Sequence, residues 1–338
     1  MSQNLPDHEF QQALAAIASE TISDTEKVDL LVQIATGLQH KPKNPQQLHN
    51  AITLYDKALE LCPDDEKLLT ARTHARKGTA LQAIPDSGTE HLLKAQLEFE
   101  IALPVLYEQG TPEETAEAEM NLGLVLQSLA SLHAAPVTEA INAYQRALKT
   151  FTRDTFPTEY AILHNNLATI YLSMPMSDER AKMREALAVQ SFQEALKVVT
   201  LIDQPSEYAM LQNNLGNALQ YASSSHSVEN NLRALEAYDE ALKVRTPQDT
   251  PYEYANTICN KANCLCNLPD DLDHPEKGNR QRMREARELY RTACDIFQQY
   301  GDDAKVSIIH ETLAELEADI GTGHTGSRSG NGFGESRI

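Results

Sequence analysis

The chain of 338 residues has no tryptophan, its aromatic residues amount to 6%, and runs of β-branched residues are nearly missing. Strand-rich folds draw on those residue types, so their scarcity argues against a sheet. Positive charge is also in short supply: 29 Lys and Arg stand against 49 Asp and Glu, a formal net charge of −20 spread along the chain. A field of that sign repels phosphate backbones and anionic lipid, which excludes generic nucleic-acid or membrane partners. No apolar run approaches the roughly 18 residues of a membrane span, and the N-terminus carries acids where a signal peptide needs bases. A cytoplasmic location is therefore expected. Cysteine is sparse and odd in number, at five, so reduced thiols are expected rather than a disulfide framework.

Signatures of catalysis are missing too. The 11 histidines form no metal-binding helix motif, and there is no Gly-rich phosphate loop or nucleophile elbow. No enzyme, cofactor or metal site is expected. Cys259, Cys264, Cys266 and Cys294 are spaced superficially like cluster ligands. Aligned with its sister units, however, Cys264 stands where Ile170 and Ala218 stand, and Cys294 where Leu242 stands, so both read as small core residues.

What is present is good helix-forming composition, rich in Ala, Leu, Glu, Gln and Lys, and an internal repeat. Six copies of Ala, three residues, Tyr or Phe, two residues, Ala and an apolar residue begin at Ala51, Ala95, Ala140, Ala188, Ala234 and Ala286. They are 44, 45, 48, 46 and 52 residues apart. Offsets of four and seven put these side chains on one helical stripe, small residues at a close approach and a ring filling the next gap. A second pattern precedes the last four copies, starting at Pro112, Pro157, Pro205 and Pro251 and carrying Gly123, Ala168, Gly216 or Ala262 at mid-helix. Proline suits a first turn, where its missing N–H costs nothing. Each unit therefore reads as helix A, a loop and helix B, with the small residue of helix A letting a neighbouring backbone approach; in the first two units that residue is taken to be Gly37 and Gly78.

The small-residue stripe, with "NLG", "NNLA", "NNLG" and "NKAN" in the A helices, resembles the tetratricopeptide repeat, in a lengthened form similar to bacterial arrays of extended repeats. The resemblance implies an all-α, right-handed solenoid of about six helix pairs. Its parts are a leading helix at 1–22, the array at 23–302, a closing helix at 303–320 and a disordered Gly/Ser-rich tail at 321–338. It implies a scaffold that grips a protein or peptide client, an adaptor or assembly factor; the alternatives are a regulatory peptide sensor and a metal-handling accessory protein.

Two candidate surfaces follow. Asn121, Asn166, Asn214 and Asn260 occupy one repeat position in successive A helices, with Asn217 and Asn263 three residues on and Asn165 and Asn213 adjacent. A carboxamide offers donor and acceptor together, and a row of them suits the backbone of an extended peptide. Ile162 and Met210 stand where the family's binders of charged C-termini carry cations, leaving only Arg72 and Arg76 for that task. The second surface is basic: Arg180, Lys182 and Arg184 near the start of one helix B, and Lys277, Arg280, Arg282 and Arg284 near the start of another. Cations there oppose the helix dipole, which suits a loop edge meeting an acidic partner as well as a solvated face paired with Glu179, Glu185 and Glu285.

Overall fold

Where the repeat places a proline or a capping side chain, a helix begins. In the computed structural model, which describes residues 10–11, 23–85, 88–174, 180–222 and 226–322, helices are the only regular elements. Thirteen longer ones follow in order: α1 (Asp24–His40), α2 (Pro45–Leu61), α3 (Lys67–Gln82), α4 (Glu90–Gln109), α5 (Pro112–Ser131), α6 (Val137–Ala147), α7 (Pro157–Ser173), α8 (Ala181–Ala195), α9 (Pro205–Gln220), α10 (Ser227–Leu242), α11 (Pro251–Cys266), α12 (Arg280–Gln299) and α13 (Asp303–Thr322). Pro112, Pro205 and Pro251 stand in first turns, as expected. Capping boxes reinforce two starts: the amide of Glu26 donates to Ser23 Oγ and that of Glu114 to Thr111 Oγ1, with each glutamate accepting from the N-cap amide in return.

Odd-numbered helices are the A members of pairs and the next even-numbered ones the B members. The six pairs divide equally between two compact units, residues 1–156 and 157–338. Within each, the stripe read from the sequence is the core. Tyr55, Phe99, Tyr144, Phe192, Tyr238 and Tyr290, one per B helix, are all fully buried, and so is the alanine four residues before each. Such rings carry large apolar area inward, and their hydroxyls need partners there. Helix A supplies them: Tyr55 donates to Gln39, Tyr144 to Gln127 and Tyr238 to both Asn217 and Gln220, at 2.8–2.9 Å.

One expectation changes. The small residue of helix A does not admit a neighbouring backbone; it admits that ring. A methyl group added at Gly216 would lie 2.5 Å from the Tyr238 ring, and at Gly123 closer still to Tyr144. Gly78 faces Phe99 in the same way, but Gly37 is exposed with nothing near it. The buried small residue of α1 is Ala35, clustered with Tyr55.

Ile309 and Leu316 of α13 are buried in one core cluster with residues of α11 and α12. The leading helix expected at 1–22 lies outside the described residues apart from Phe10 and Gln11, which are helical; Phe10 packs on the core of α1 and α2. Of the tail expected at 321–338, Gly321 and Thr322 end α13 and the rest lies outside the described residues.

The cysteines are core residues. Cys259, Cys264, Cys266 and Cys294 are buried; burial pushes the Cys259 and Cys264 thiols up to about 12, and Cys264 donates to the Asn231 carbonyl.

Candidate functional site

The asparagines expected to line a ligand-binding row divide between the two units. Asn121 is half-buried on α5. The others belong to α7, α9 and α11, the A helices of the unit 157–338, where their proline-opened first turns set a common phase.

Four of these asparagines are committed to the fold. Asn217 accepts the hydroxyl of buried Tyr238, and Asn263 donates to Tyr221 at 2.9 Å. Asn213 is buried, and its Oδ1 accepts from Asn260 Nδ2 at 3.2 Å, a rung that joins α9 to α11. Asn213 Nδ2 donates in turn to Asn214 Oδ1 at 3.4 Å.

On α7 the same pair of positions behaves differently. Asn165 donates to Asn166 Oδ1 at 3.4 Å, just as Asn213 does to Asn214. Yet Asn165 Oδ1 and Asn166 Nδ2 are covered and have no hydrogen-bond partner among the described residues. By repeat position Asn165 matches Asn213 and Asn214 matches Asn260, so the rung closed between α9 and α11 is open at α7. A covered polar atom without a partner carries a desolvation penalty of about 1–3 kcal/mol. One turn before Asn166 and Asn214, Ile162 and Met210 are exposed. Beside them His164 lies tilted against Tyr160 with ring centroids 4.4 Å apart, its Nδ1 also covered and without a partner among the described residues, and burial pushes its imidazole below the ordinary 6.5. Tyr160 is anchored by its hydroxyl on Glu194 at 2.8 Å, as Tyr208 is on Glu240 at 2.9 Å. An acceptor and a donor side by side, next to apolar pads, match one peptide unit with its flanking side chains.

In the unit 1–156 the equivalent interior is charged and closed. Glu119, 2% exposed, takes both Arg146 Nε and Nη2 at 2.7 Å and the Tyr107 hydroxyl at 2.5 Å; burial and that carboxylate push Tyr107 up to about 12. Glu98 meets His74 and Lys77, and Lys77 also reaches Asp56. Burial raises the Glu98 carboxyl, but the His74 and Lys77 hydrogen bonds outweigh it and hold the group below its ordinary value. Arg72, one of two cations left for a charged chain terminus, is bound in two places to Glu114, at 2.6 and 3.1 Å. It is a tie between α3 and α5, which corrects that assignment; Arg76 stays exposed.

The basic edge is also redrawn. Arg184 is only 7% exposed and so belongs to the interior of its unit. Arg282 is half-buried and donates to the Pro269 carbonyl at 2.8 Å. Arg180, Lys182, Arg280 and Arg284 remain exposed. Of the acids expected to compensate, Glu185 is buried, Glu285 is exposed and Glu179 lies outside the described residues, while Lys277 is met by Asp271 at 2.8 Å. Asp270 accepts the first-turn amides of Gln281 and Arg282, both at 2.8 Å, so an anion caps the helix that the arginines enter.

Among the described residues no group of three or more His, Cys, Asp or Glu is placed to hold a metal, and no helix is long and apolar enough to cross a membrane. Taken together, these elements define an all-α solenoid of helix pairs. The solved structures it resembles are of the tetratricopeptide-repeat type. One is a complex of the TPR2AB domain of yeast Sti1 with pHSP90, 16% identical, covering 87% of this chain and 99% of that one with a TM-score of 0.30. Another is a Rap protein complexed with competence and sporulation factor, 13% identical, covering 94% and 86% with a TM-score of 0.36. No protein-family model and no curated protein matches the chain.

Proposed function

We propose that this protein is a binding scaffold, an adaptor or assembly factor, that holds an extended segment of a client protein along the A helices of its unit 157–338. The observation that carries the reading is the open rung on α7. Asn165 Oδ1 takes a backbone N–H of the client and Asn166 Nδ2 gives to a backbone carbonyl, while Ile162 and Met210 accept apolar side chains. Because the amide atoms are covered, the ligand enters by swinging asparagine side chains, a motion of two torsions. Binding then satisfies groups that the free protein leaves unsatisfied, so part of the affinity is relief of an existing penalty. With exposed isoleucine and methionine where a carboxylate-binding array needs cations, an internal or apolar segment suits the site better than a charged terminus. Cytoplasmic location fits the same role.

Selection of extended peptides from a display library against the full chain tests this. In the double variant Asn166→Ala with Asn214→Ala, the selected peptides are expected to bind about 1–3 kcal/mol more weakly, with the helical spectrum unchanged. Binding equal to that of the unaltered chain would remove the site on α7 and leave the exposed arginines, Arg180, Arg280 and Arg284, as the better surface.

A further inference from the structure

A surface far from the asparagines in character lies on α4, the B helix of the second pair. Leu93, Leu97 and Ile101 are 48, 55 and 45% exposed, and Pro104 continues the row. At 100° per residue these four fall within an arc of about 80°, so they make one stripe over about three turns. The repeat shows how unusual this is. Two residues after the first alanine of the B motif the six copies read Thr53, Leu97, Asn142, Gln190, Glu236 and Glu288; six after it they read Lys57, Ile101, Arg146, Glu194, Glu240 and Thr292. Only the second pair is apolar at both. In the other five copies both positions are polar, whereas here they are apolar and exposed, so core packing does not explain the exception; an exposed row of this kind marks an interaction site.

The rim of the stripe says what covers it. Glu100 and Glu108 are exposed beside it, and among the described residues no cation is paired with either. The one lysine nearby, Lys94, is engaged with Glu90 at 2.7 Å. Pro104 adds to the negative character, since it has no N–H to give the Glu100 carbonyl. A second copy of the chain would bring another formal charge of −20 to a face already acidic. Phe10 packs on the core of α1 and α2.

We infer that the outer face of α4 docks an amphipathic helix of a partner protein, with leucine-like residues at three- and four-residue spacing and lysine or arginine along the flanks. The apolar spine supplies the contact area and the acidic rim selects basic partners and sets the direction of approach. The face belongs to the unit 1–156, and the asparagine site on α7 to the unit 157–338.

The probes are two labelled synthetic helices of 18 residues with the same leucine face, one flanked by lysines and one by glutamates, titrated by fluorescence anisotropy against the full chain. The lysine-flanked helix is expected to bind, the glutamate-flanked one at least tenfold more weakly. In the variant carrying Leu97→Gln and Ile101→Gln, which changes no charge, affinity for the lysine-flanked helix is expected to fall at least tenfold, with circular dichroism and thermal midpoint unchanged. Three results would overturn the inference: no binding of the lysine-flanked helix, equal binding of the two helices, or undiminished binding by the glutamine variant, which would mean attraction to the acidic surface at large. Sedimentation decides the remaining rival. If the unaltered chain is a dimer that Leu97→Gln with Ile101→Gln turns into a monomer, a second copy owns the face and the inference fails.

Discussion

The two units are built from the same helix pair, yet they treat the polar positions of their A helices in opposite ways. Beside the amides Gln39, Asn121 and Gln127, the A helices of the unit 1–156 carry ions, and each one described above is paired: Glu119 with Arg146 and Tyr107, His74 and Lys77 with Glu98 of α4, Glu114 with Arg72. The unit 157–338 fills those positions with neutral amides and leaves two amide atoms on α7 unpaired. Buried charges have to be paired because ionic desolvation is so costly, and once paired they have little left to offer a ligand. An amide survives burial half-satisfied at a modest cost and keeps a donor or acceptor in reserve. The first unit's ions are therefore spent on the fold, as are Asn213, Asn217, Asn260 and Asn263 of the second, while Asn165 and Asn166 on α7 keep the reserve on which the proposed function rests.

The strongest way to break this comparison is to ask whether the amide-bearing unit owes its stability to its core at all. Tyr238 is fully buried, and its hydroxyl is held by Asn217 and Gln220. Tyr238→Ala is expected to cost about 3–5 kcal/mol in urea unfolding, the range for removing a core aromatic. A loss under about 1 kcal/mol would mean that the ring stripe is not the core and that the helix phases are wrong. A smaller effect sharpens the contrast from the other side. Glu119→Gln keeps the shape but removes the charge that holds Arg146 Nε and Nη2, so it is expected to cost about 1.5–3 kcal/mol, the usual worth of hydrogen bonds to a charged group. Amide exchange across 112–147 should quicken while affinity for the selected peptides stays the same; a loss of affinity without a loss of protection would give the ion pair a recognition role and erase the distinction.

Much of this was legible in the sequence because it is periodic. The alanine and ring spacing specified the B stripe, and the prolines marked where A helices begin, since both follow from local geometry. What stayed hidden was the pairing of polar groups across helices. Arg72 meets Glu114 42 residues away, and Asn260 meets Asn213 47 residues away. No local pattern tells which asparagine of a row is spent and which is spare. Arg184 was readable in principle. It lies four residues before Ala188 on the buried stripe, as Arg282 does before Ala286 and Gln47 before Ala51, and Arg184 and Gln47 are buried while Arg282 is half-buried. Counting cations near a loop missed what the helical phase already held. The α4 stripe was equally visible, as a break in the repeat at positions where the other copies are polar.

The finest test of the helix phases uses the glycine that the sequence reading misassigned. Gly37 sits inside α1, exposed, with nothing within 4 Å of where a Cβ would be, whereas Gly78, Gly123 and Gly216 of α3, α5 and α9 face a ring and the matching position in α1 is filled by Ala35. Glycine in a helix interior is less favourable than alanine by about 0.8–1 kcal/mol, because the unfolded chain loses more freedom and no side chain covers the backbone. Gly37→Ala should therefore stabilise the protein by up to about 1 kcal/mol and raise the thermal midpoint by up to about 2–4 °C where the unit 1–156 unfolds by itself. Gly123→Ala, the same chemical change one unit-internal step along, should do the reverse, because its methyl would enter the Tyr144 ring. If Gly37→Ala destabilised the protein instead, Gly37 rather than Ala35 would be the residue against Tyr55. The hydrogen bonds of that ring to Thr36 and Gln39, and with them the phase of α1, would then have to be redrawn.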